Sequence, residues 1–151
     1  PHHGYYVKGH VHDENAHFLG GVSGNAGVFS SAEDLAVIAA AIMNGGAVNG
    51  HRILSPAGVE LMATVPPDQA PWIGRSYGWD AASDMESTRG NLTTAGRCIF
   101  HTGYTGTSMV IDLETKTAII LLTNRVHPYD TGGLFRTRTM VANIVASSIL
   151  D

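Results

Sequence analysis

The fold of this chain is decided by the stretch CIFHTGYTGTSMVIDLETKTAIILLTN, residues 98–124. Three apolar runs, at 97–101, 107–112 and 117–124, each predict a β-strand. Only a short polar segment separates the second run from the third, which predicts a hairpin and therefore antiparallel neighbours. The unbroken apolar run 119–122 is typical of a strand that is covered on both faces.

A first helix is predicted well before these strands. Ser30 is followed three residues later by Glu33, which predicts a capping box at the start of a helix. Apolar residues then repeat at helical spacing over 35–43, so that one face of the helix can be buried. The helix is expected to end at Gly45-Gly46, because glycine is preferred just after a helix.

Two further helices are predicted, one before the strands and one after them. Ser55-Pro56 opens the second helix, because proline loses no hydrogen bond at the first helical position, and Val65-Pro66-Pro67 stops it. The last helix covers Leu134–Leu150 and is expected to pack on the sheet through an apolar stripe. The stripe consists of Leu134, Met140, Val141, Ile144, Val145 and Ile149.

The remaining segments lack a regular hydrophobic period. Residues 1–29 are rich in glycine and histidine and predict an irregular connector, while 68–96 predict a long surface loop with one short strand at 77–79. We therefore expect one incomplete α+β domain. Its parts are a connector and helical part at 1–67, the loop region at 68–96, and three strands with a C-terminal helix at 97–151.

Composition and charge exclude several classes of protein. The 151 residues are 44% apolar and 15% charged, with a formal net charge of -4. No cluster of Lys and Arg offers the positive surface that nucleic acid or an anionic membrane needs, so neither partner is expected. Cys98 is the only cysteine, which excludes an internal disulfide and a zinc cage of thiolates. It is expected to be a small buried side chain.

The tripeptide His101-Thr102-Gly103 combines groups that can serve an active site. His101 offers an imidazole that can carry a proton near neutral pH, and Thr102 offers a hydroxyl. Gly103 lets a ligand approach the backbone, and the N–H of Tyr104 could act as an oxyanion donor beside it. The structural alternative is that Thr102 and Gly103 form only a turn or a β-bulge.

Two blocks of the sequence resemble the serine beta-lactamase-like hydrolases, which include class C beta-lactamases, DD-peptidases (penicillin-binding proteins) and esterases. HTGYTGTSMVIDLETKTAIILLTNRVHP, residues 101–128, resembles the strand that carries the family's third catalytic motif, Lys-Thr-Gly or His-Thr-Gly, and the two strands after it. GHVHDENAHFLGGVSGNAGVFSSAEDLAVIAAAIMNGG, residues 9–46, is similar to the segment after the second motif in the subgroup often fused to beta-N-acetylhexosaminidases. The resemblance implies the C-terminal part of the beta-lactamase/transpeptidase-like fold, in which a C-terminal helix and helices of the helical subdomain pack on an antiparallel sheet.

Two catalytic elements of that family are absent from this sequence. The family's nucleophile lies in a Ser-x-x-Lys element, but no serine here has a lysine three residues later. No tyrosine has the asparagine or serine two residues on that the second element requires. Both elements are expected upstream of Pro1, so the chain would be the C-terminal part of a longer hydrolase and inactive by itself.

The resemblance also implies roles for four residues. His101 and Thr102 would hydrogen-bond a substrate carboxylate or carbonyl, Gly103 would keep the strand edge open, and Tyr104 N–H would form half of an oxyanion hole. The implied reaction is hydrolysis of an amide, ester or lactam through a serine acyl-enzyme, with no metal or organic cofactor. A small-molecule or peptidoglycan-like substrate and a location in the bacterial periplasm, in the cell envelope or outside the cell are implied in the same way.

An incomplete sheet exposes an edge and an apolar face. The expected partner is therefore the missing N-terminal part of the same domain, or a second copy of the chain that forms a homodimer over the exposed sheet.

Two other classes of function stay open. The domain could be a non-catalytic binding or interaction module that keeps the fold without the chemistry. It could instead be a metal-dependent hydrolase, because His10-Val-His12-Asp13 has a His-x-His-x-Asp spacing that can place alternate ligands on zinc.

Other candidate residues have mainly structural interpretations. The glycine-rich stretch 20–27 is expected to form a tight turn beneath the site, and its Ser23 has no activating lysine or histidine at local spacing. Arg125 is expected to pair with a carboxylate of the protein. The remaining candidates are a capping and bracing group, Asp13, Glu14 and Asn15, and three aromatics that either line a cleft or anchor a loop, Trp72, Tyr77 and Trp79.

Overall fold

The predicted α+β arrangement is confirmed by the computed structural model, which describes residues 8–69, 72–81, 86–92, 97–130 and 132–150. The helices are α1 (Glu14–Phe18), α2 (Ala32–Met43), α3 (Pro56–Ala63) and α4 (Phe135–Ala146), with a 3-10 helix at Glu86–Arg89. The strands are β1 (Ala47–Val48), β2 (His51–Arg52), β3 (Cys98–Thr102), β4 (Thr107–Asp112) and β5 (Thr117–Leu122). Predictions for residues 1–7, 70–71, 82–85, 93–96, 131 and 151 lie outside the described residues. In the described ranges, every helix is too short or too polar to cross a membrane.

The three predicted strands form one antiparallel sheet in the order β3-β4-β5. β3 and β4 pair along their whole length, beginning with Cys98 opposite Asp112. β4 and β5 form the predicted hairpin. The Asp112 carboxylate stabilises its turn by accepting hydrogen bonds from the Glu114 N–H and the Thr115 hydroxyl, each at 2.9 Å.

Each face of the sheet carries one hydrophobic cluster, because successive side chains of a strand point to opposite faces. On one face Ile99 and Ile111 pack with residues of α2 and α3. On the other face Cys98, Phe100 and Val110 pack with residues of α4. β3 is therefore held from both sides up to the point where His101 begins the candidate site.

β5 is covered less completely than its apolar run predicts. Ile119 is buried and the next two residues are half-buried, but Leu122 is 44% exposed. The prediction that β5 is covered on both faces is thus confirmed at Ile119 and wrong at Leu122.

α2 and α3 begin at serine caps. Ser31 Oγ accepts a hydrogen bond from Asp34 N–H at 3.1 Å, so α2 begins one residue later than the predicted box Ser30–Glu33. Ser55 Oγ accepts one from Gly58 N–H at 3.0 Å, as the serine-proline pair predicts for α3. Both helices end just before the glycine and proline pairs that were expected to stop them.

Two short elements were missed in the segments read as connector or loop. Asp13 caps α1 by accepting a hydrogen bond from Ala16 N–H at 2.8 Å, so residues 1–29 are not wholly irregular. Asp13 is thereby confirmed as a capping residue. The hairpin of β1 and β2 follows α2, with Val48 opposite His51.

The prediction of a surface loop over 68–96 is wrong for much of its described part. Asp80, Thr88, Arg89 and Leu92 are all buried. No strand forms at 77–79 within the described residues, but Asp80 exchanges two backbone hydrogen bonds of 2.9 Å with Phe100. The segment therefore lies beside β3 and covers part of its outer edge.

The predicted apolar stripe of the last helix is only partly correct. Val141, Val145 and Ile149 pack on the core, whereas Met140 and Ile144 are 52% and 63% exposed. α4 is also shorter than predicted. Its buried face includes a charged residue, Arg138, which the apolar pattern did not include.

Candidate active site

An open groove of about 940 Å³ runs past the end of β3. One wall is formed by residues 101–105 and the start of β4, and the opposite wall by residues 10–14 and 24–29. Trp79 lines the groove as well and also packs against the core. The structure therefore brings the His101–Tyr104 stretch together with the glycine-rich connector, which the sequence separates by about 75 residues.

His101-Thr102-Gly103 forms the end of β3 and the beginning of a tight turn. Gly103 N–H donates to Thr107 O at 2.8 Å, and Gly106 N–H donates to Gly103 O at 3.1 Å. A Cβ on Gly103 would lie 2.1 Å from Thr107 Oγ1, so a larger residue here would require the Thr107 side chain to move. The structural interpretation of Gly103 as a turn residue is thus correct, and the turn lies in the wall of the groove.

The backbone of Thr102 faces the outer edge of β3. In an antiparallel ladder, alternate residues direct their N–H and C=O groups to opposite edges. Phe100 bonds outward to Asp80, whereas Gly103 bonds inward to β4. The backbone N–H and C=O of Thr102 therefore face the same outer edge as those of Phe100. They lie past the part of this edge that the segment 72–81 covers. The Nδ1 atom of His101 lies 3.0 Å from Thr102 O.

Tyr104 is held by charged and aromatic neighbours. Arg125 Nε donates to Tyr104 O at 2.6 Å, and the guanidinium carbon lies 4.2 Å from the centre of the tyrosine ring. The Tyr104 hydroxyl donates to Asp130 at 2.8 Å, and the His12 ring stacks on that of Tyr104 at 5.8 Å. Through these contacts Tyr104 connects the β3–β4 turn to the segment after β5.

Arg125 forms the predicted ion pair with a carboxylate of the protein, which is Asp130. The Gly132 N–H, the Tyr104 hydroxyl and Arg125 together hold the pKa of the Asp130 carboxyl below its usual range. The carboxylate therefore stays ionised and keeps these contacts over the pH range in which most proteins fold.

Arg138 reaches the same turn from α4 and is a residue that sequence reasoning missed. Its Nη2 donates to Gly103 O at 3.1 Å and to Thr107 O at 2.9 Å. Burial lowers the pKa of the guanidinium, and the nearby Arg125 lowers it further. The sequence around Arg138 does not reveal these hydrogen bonds, because both acceptors lie more than 30 residues earlier in the chain.

The other candidate groups contribute less to the site. His10 and His12 line the groove, but within the described ranges no three His, Cys, Asp or Glu side chains lie close enough together to hold a metal ion. Ser23 bonds to Asn25, and Asn25 Nδ2 donates to Asp13 at 3.2 Å. These contacts make residues 20–27 a braced turn beside the groove.

Comparison with known proteins gives the family. The sequence model described as Beta-lactamase matches residues 1–139. Over 122 residues the chain is 37% identical to a protein of Escherichia coli O157:H7 and 35% identical to one of Escherichia coli K12, both named "Putative D-alanyl-D-alanine carboxypeptidase". A protein of Salmonella gallinarum with the same name is 37% identical. Each match covers 79% of this chain and 27% of the relative, so the chain spans about a quarter of the length of these proteins. With a family match over most of its length, the chain belongs to the serine beta-lactamase-like family of hydrolases.

Proposed function

We propose that this chain supplies one wall of an acyl-transfer site that cleaves an amide, ester or lactam bond through a serine acyl-enzyme. The observation that carries the proposal is the groove in which His101, Thr102 and the Tyr104 backbone meet beside an open strand edge. The serine and its activating lysine lie upstream of residue 1 in this proposal. The isolated chain therefore binds substrate weakly and does not turn it over.

The outer edge of β3 suits an extended peptide. Such a ligand can add a strand to an exposed edge, with affinity from backbone hydrogen bonds and specificity from neighbouring side chains. Asp80 occupies the edge at Phe100, so the ligand pairs next to it, at Thr102. The Thr102 hydroxyl and the His101 ring then donate hydrogen bonds to a carboxylate or carbonyl of the ligand.

The outer edge of β3 and the names of the relatives together support one class of substrate. A peptide that ends in D-alanyl-D-alanine has a backbone that can pair with the edge and a terminal carboxylate for His101 and Thr102. The relatives are named as carboxypeptidases of this dipeptide. A peptidoglycan-like peptide is therefore the proposed substrate, and the bacterial cell envelope is the proposed location.

The exposed apolar surface of residues 18–29 supports the rest of the domain as the partner of this chain. Phe18, Val22 and Val28 are each more than 80% exposed. Leaving these side chains in water is unfavourable, because burial of one large apolar side chain stabilises a protein by about 1.5–3 kcal/mol. Residues 24–29 of this segment also form part of one wall of the groove. The remainder of the protein would therefore cover the apolar surface and complete the site at the same time.

Acylation with a fluorescent penicillin and a chromogenic ester tests the proposal. The 151-residue chain and the full-length protein are compared by intact mass, together with the full-length variants Thr102→Val and Thr117→Val. Thr117 lies on β5 away from the groove and provides the matched control. We expect one label on the full-length protein, none on the chain, and a slower reaction only for Thr102→Val.

Two outcomes would contradict the proposal. A full-length protein that neither probe labels would favour the non-catalytic binding module. Labelling of the isolated chain would show that a nucleophile lies within residues 1–151, and the upstream serine would then be wrong.

A further inference from the structure

Arg138 connects the last helix to both ends of the turn that carries the candidate site. Arg138 is the fourth residue of α4 and is only 6% exposed, and one of its nitrogens, Nη2, donates to the carbonyls of Gly103 and Thr107. These two residues also bond to each other across the turn. One guanidinium therefore fixes the separation and the direction of the two carbonyls.

The carbonyl of Gly103 and the N–H of Tyr104 belong to the same peptide unit. A trans peptide is planar, and its C=O and N–H point in opposite directions. Because Arg138 and Gly106 N–H both hold Gly103 O, the direction of Tyr104 N–H is fixed away from α4. Arg125 holds the carbonyl of the next peptide unit, that of Tyr104, so the backbone is restrained on both sides of the Tyr104 Cα.

The charge of Arg138 also changes the strength of that N–H as a donor. Arginine stays protonated in proteins, and a charged donor forms a stronger hydrogen bond than a neutral one. Hydrogen bonds in series polarise one another, and the effect is larger where water is excluded. A cation on Gly103 O therefore makes Tyr104 N–H a better donor to a negative oxygen on its other side.

We propose that Arg138 is a positioning residue that orients and polarises the Gly103–Tyr104 peptide for oxyanion binding. The chemical step rests on the proposed function, while the effect of Arg138 on the peptide does not. Arg138 acts through the peptide and touches neither the substrate nor the nucleophile. The arrangement places a buried positive charge behind an oxyanion donor, where it remains throughout the reaction.

The test combines a spectroscopic measurement on the chain with kinetics on the full-length protein. Arg138→Met removes the charge and the donors, Arg138→Lys keeps the charge, and Arg136→Met removes an exposed arginine from the same helix as the control. In isotope-labelled chain, NMR follows the Tyr104 amide nitrogen and proton and the Gly103 carbonyl carbon.

We expect Arg138→Met to move all three resonances to lower chemical shift, Arg138→Lys to move them less, and Arg136→Met to leave them unchanged. In the full-length protein kcat should fall about 10- to 100-fold in Arg138→Met with little change in KM, less than the loss of a whole oxyanion donor. A merely structural arginine would lower the amount of folded protein without lowering the kcat of what remains folded.

The outcomes separate the two proposals. Unchanged Tyr104 and Gly103 resonances in both Arg138 variants would overturn the positioning role, whatever happens to kcat. If Arg138→Met does not fold, Arg138→Gln gives the same decision, because its amide removes the charge and keeps a hydrogen-bond donor. The resonances could shift in the Arg138 variants while no substrate acylates the wild-type full-length protein. That result would support the effect of Arg138 on the peptide and reject acyl transfer.

Discussion

Gly106 lies where the β3–β4 turn meets the segment after β5, and replacing it with alanine should separate the two. Its φ is +123°, a conformation that L side chains rarely adopt. A Cβ would lie 2.9 Å from Thr123 O and 3.0 Å from Arg125 N, both of them backbone atoms. Neither atom can turn aside as the end of a side chain could, so the chain itself must move.

The free-energy loss can be estimated from these two effects. Holding an alanine in such a conformation costs about 1–3 kcal/mol, and overpacking by one methyl group costs about 1–3 kcal/mol more. Gly50→Ala is the matched control, because Gly50 has a φ of +79° but open space around its Cβ position. The control should cost about 1–2 kcal/mol, since only the conformational part applies. We expect Gly106→Ala to be the more destabilising by about 2 kcal/mol, a large part of a typical total of about 5–15 kcal/mol.

Urea unfolding followed by tryptophan fluorescence measures both variants against the wild type. The half-buried Trp79 lines the groove and should report on this region. A change in midpoint with an unchanged slope shows that stability alone was altered. If the two alanine variants lose the same free energy, the backbone clash at Gly106 does not exist and the described turn is wrong.

Two further predictions concern titratable groups away from the turn. Burial, and to a smaller extent the charge of Asp112, raises the pKa of the Cys98 thiol to about 12, while Arg89 opposes this shift. A thiol reagent at pH 8 should therefore modify unfolded chain about tenfold faster than folded chain or more, because the thiolate is the reactive form; equal rates would show that Cys98 is accessible. The two hydrogen bonds of 3.0 Å from Arg97 lower the pKa of Glu60. A lowered carboxyl pKa stabilises the fold above the unfolded pKa, about 4.3, and the effect is lost as the pH falls through the folded value. Arg97→Met should therefore cost less than about 1 kcal/mol at pH 7, because both partners are half exposed, and nothing at pH 2; a constant difference at both pH values would contradict the ion pair.

The sheet could be predicted from the sequence because its information is local. Strand spacing, a short polar turn and the apolar runs at 97–101, 107–112 and 117–124 require no knowledge of distant partners. The cap of α3 was predictable for the same reason, and that of α2 to within one residue, since serine and proline act on the next few residues. The candidate stretch His101-Thr102-Gly103 could be singled out because its residue types stand together in the chain.

The parts that were missed depend on distant contacts. Asp80 joins β3 through backbone atoms alone, and its side-chain type carries no signal of this pairing. Arg138 is buried because two carbonyls from the β3–β4 turn accept its hydrogen bonds, whereas helical periodicity assigns an arginine to the solvent. Met140 and Ile144 show the opposite error, because an apolar side chain need not face the core when the helix is turned to bury Arg138.

The clamp of Arg138 on Gly103 also sets an order of events during synthesis of the protein. The two residues are 35 positions apart, so a ribosome that adds 5–20 residues per second makes the arginine about 2–7 s after the glycine. Throughout that interval the Gly103 carbonyl lacks the charged donor that it has in the folded protein. The hydrogen bonds of Arg138 are therefore among the last contacts of this turn that can form, and a nascent chain that stops before α4 would carry His101-Thr102-Gly103 without them.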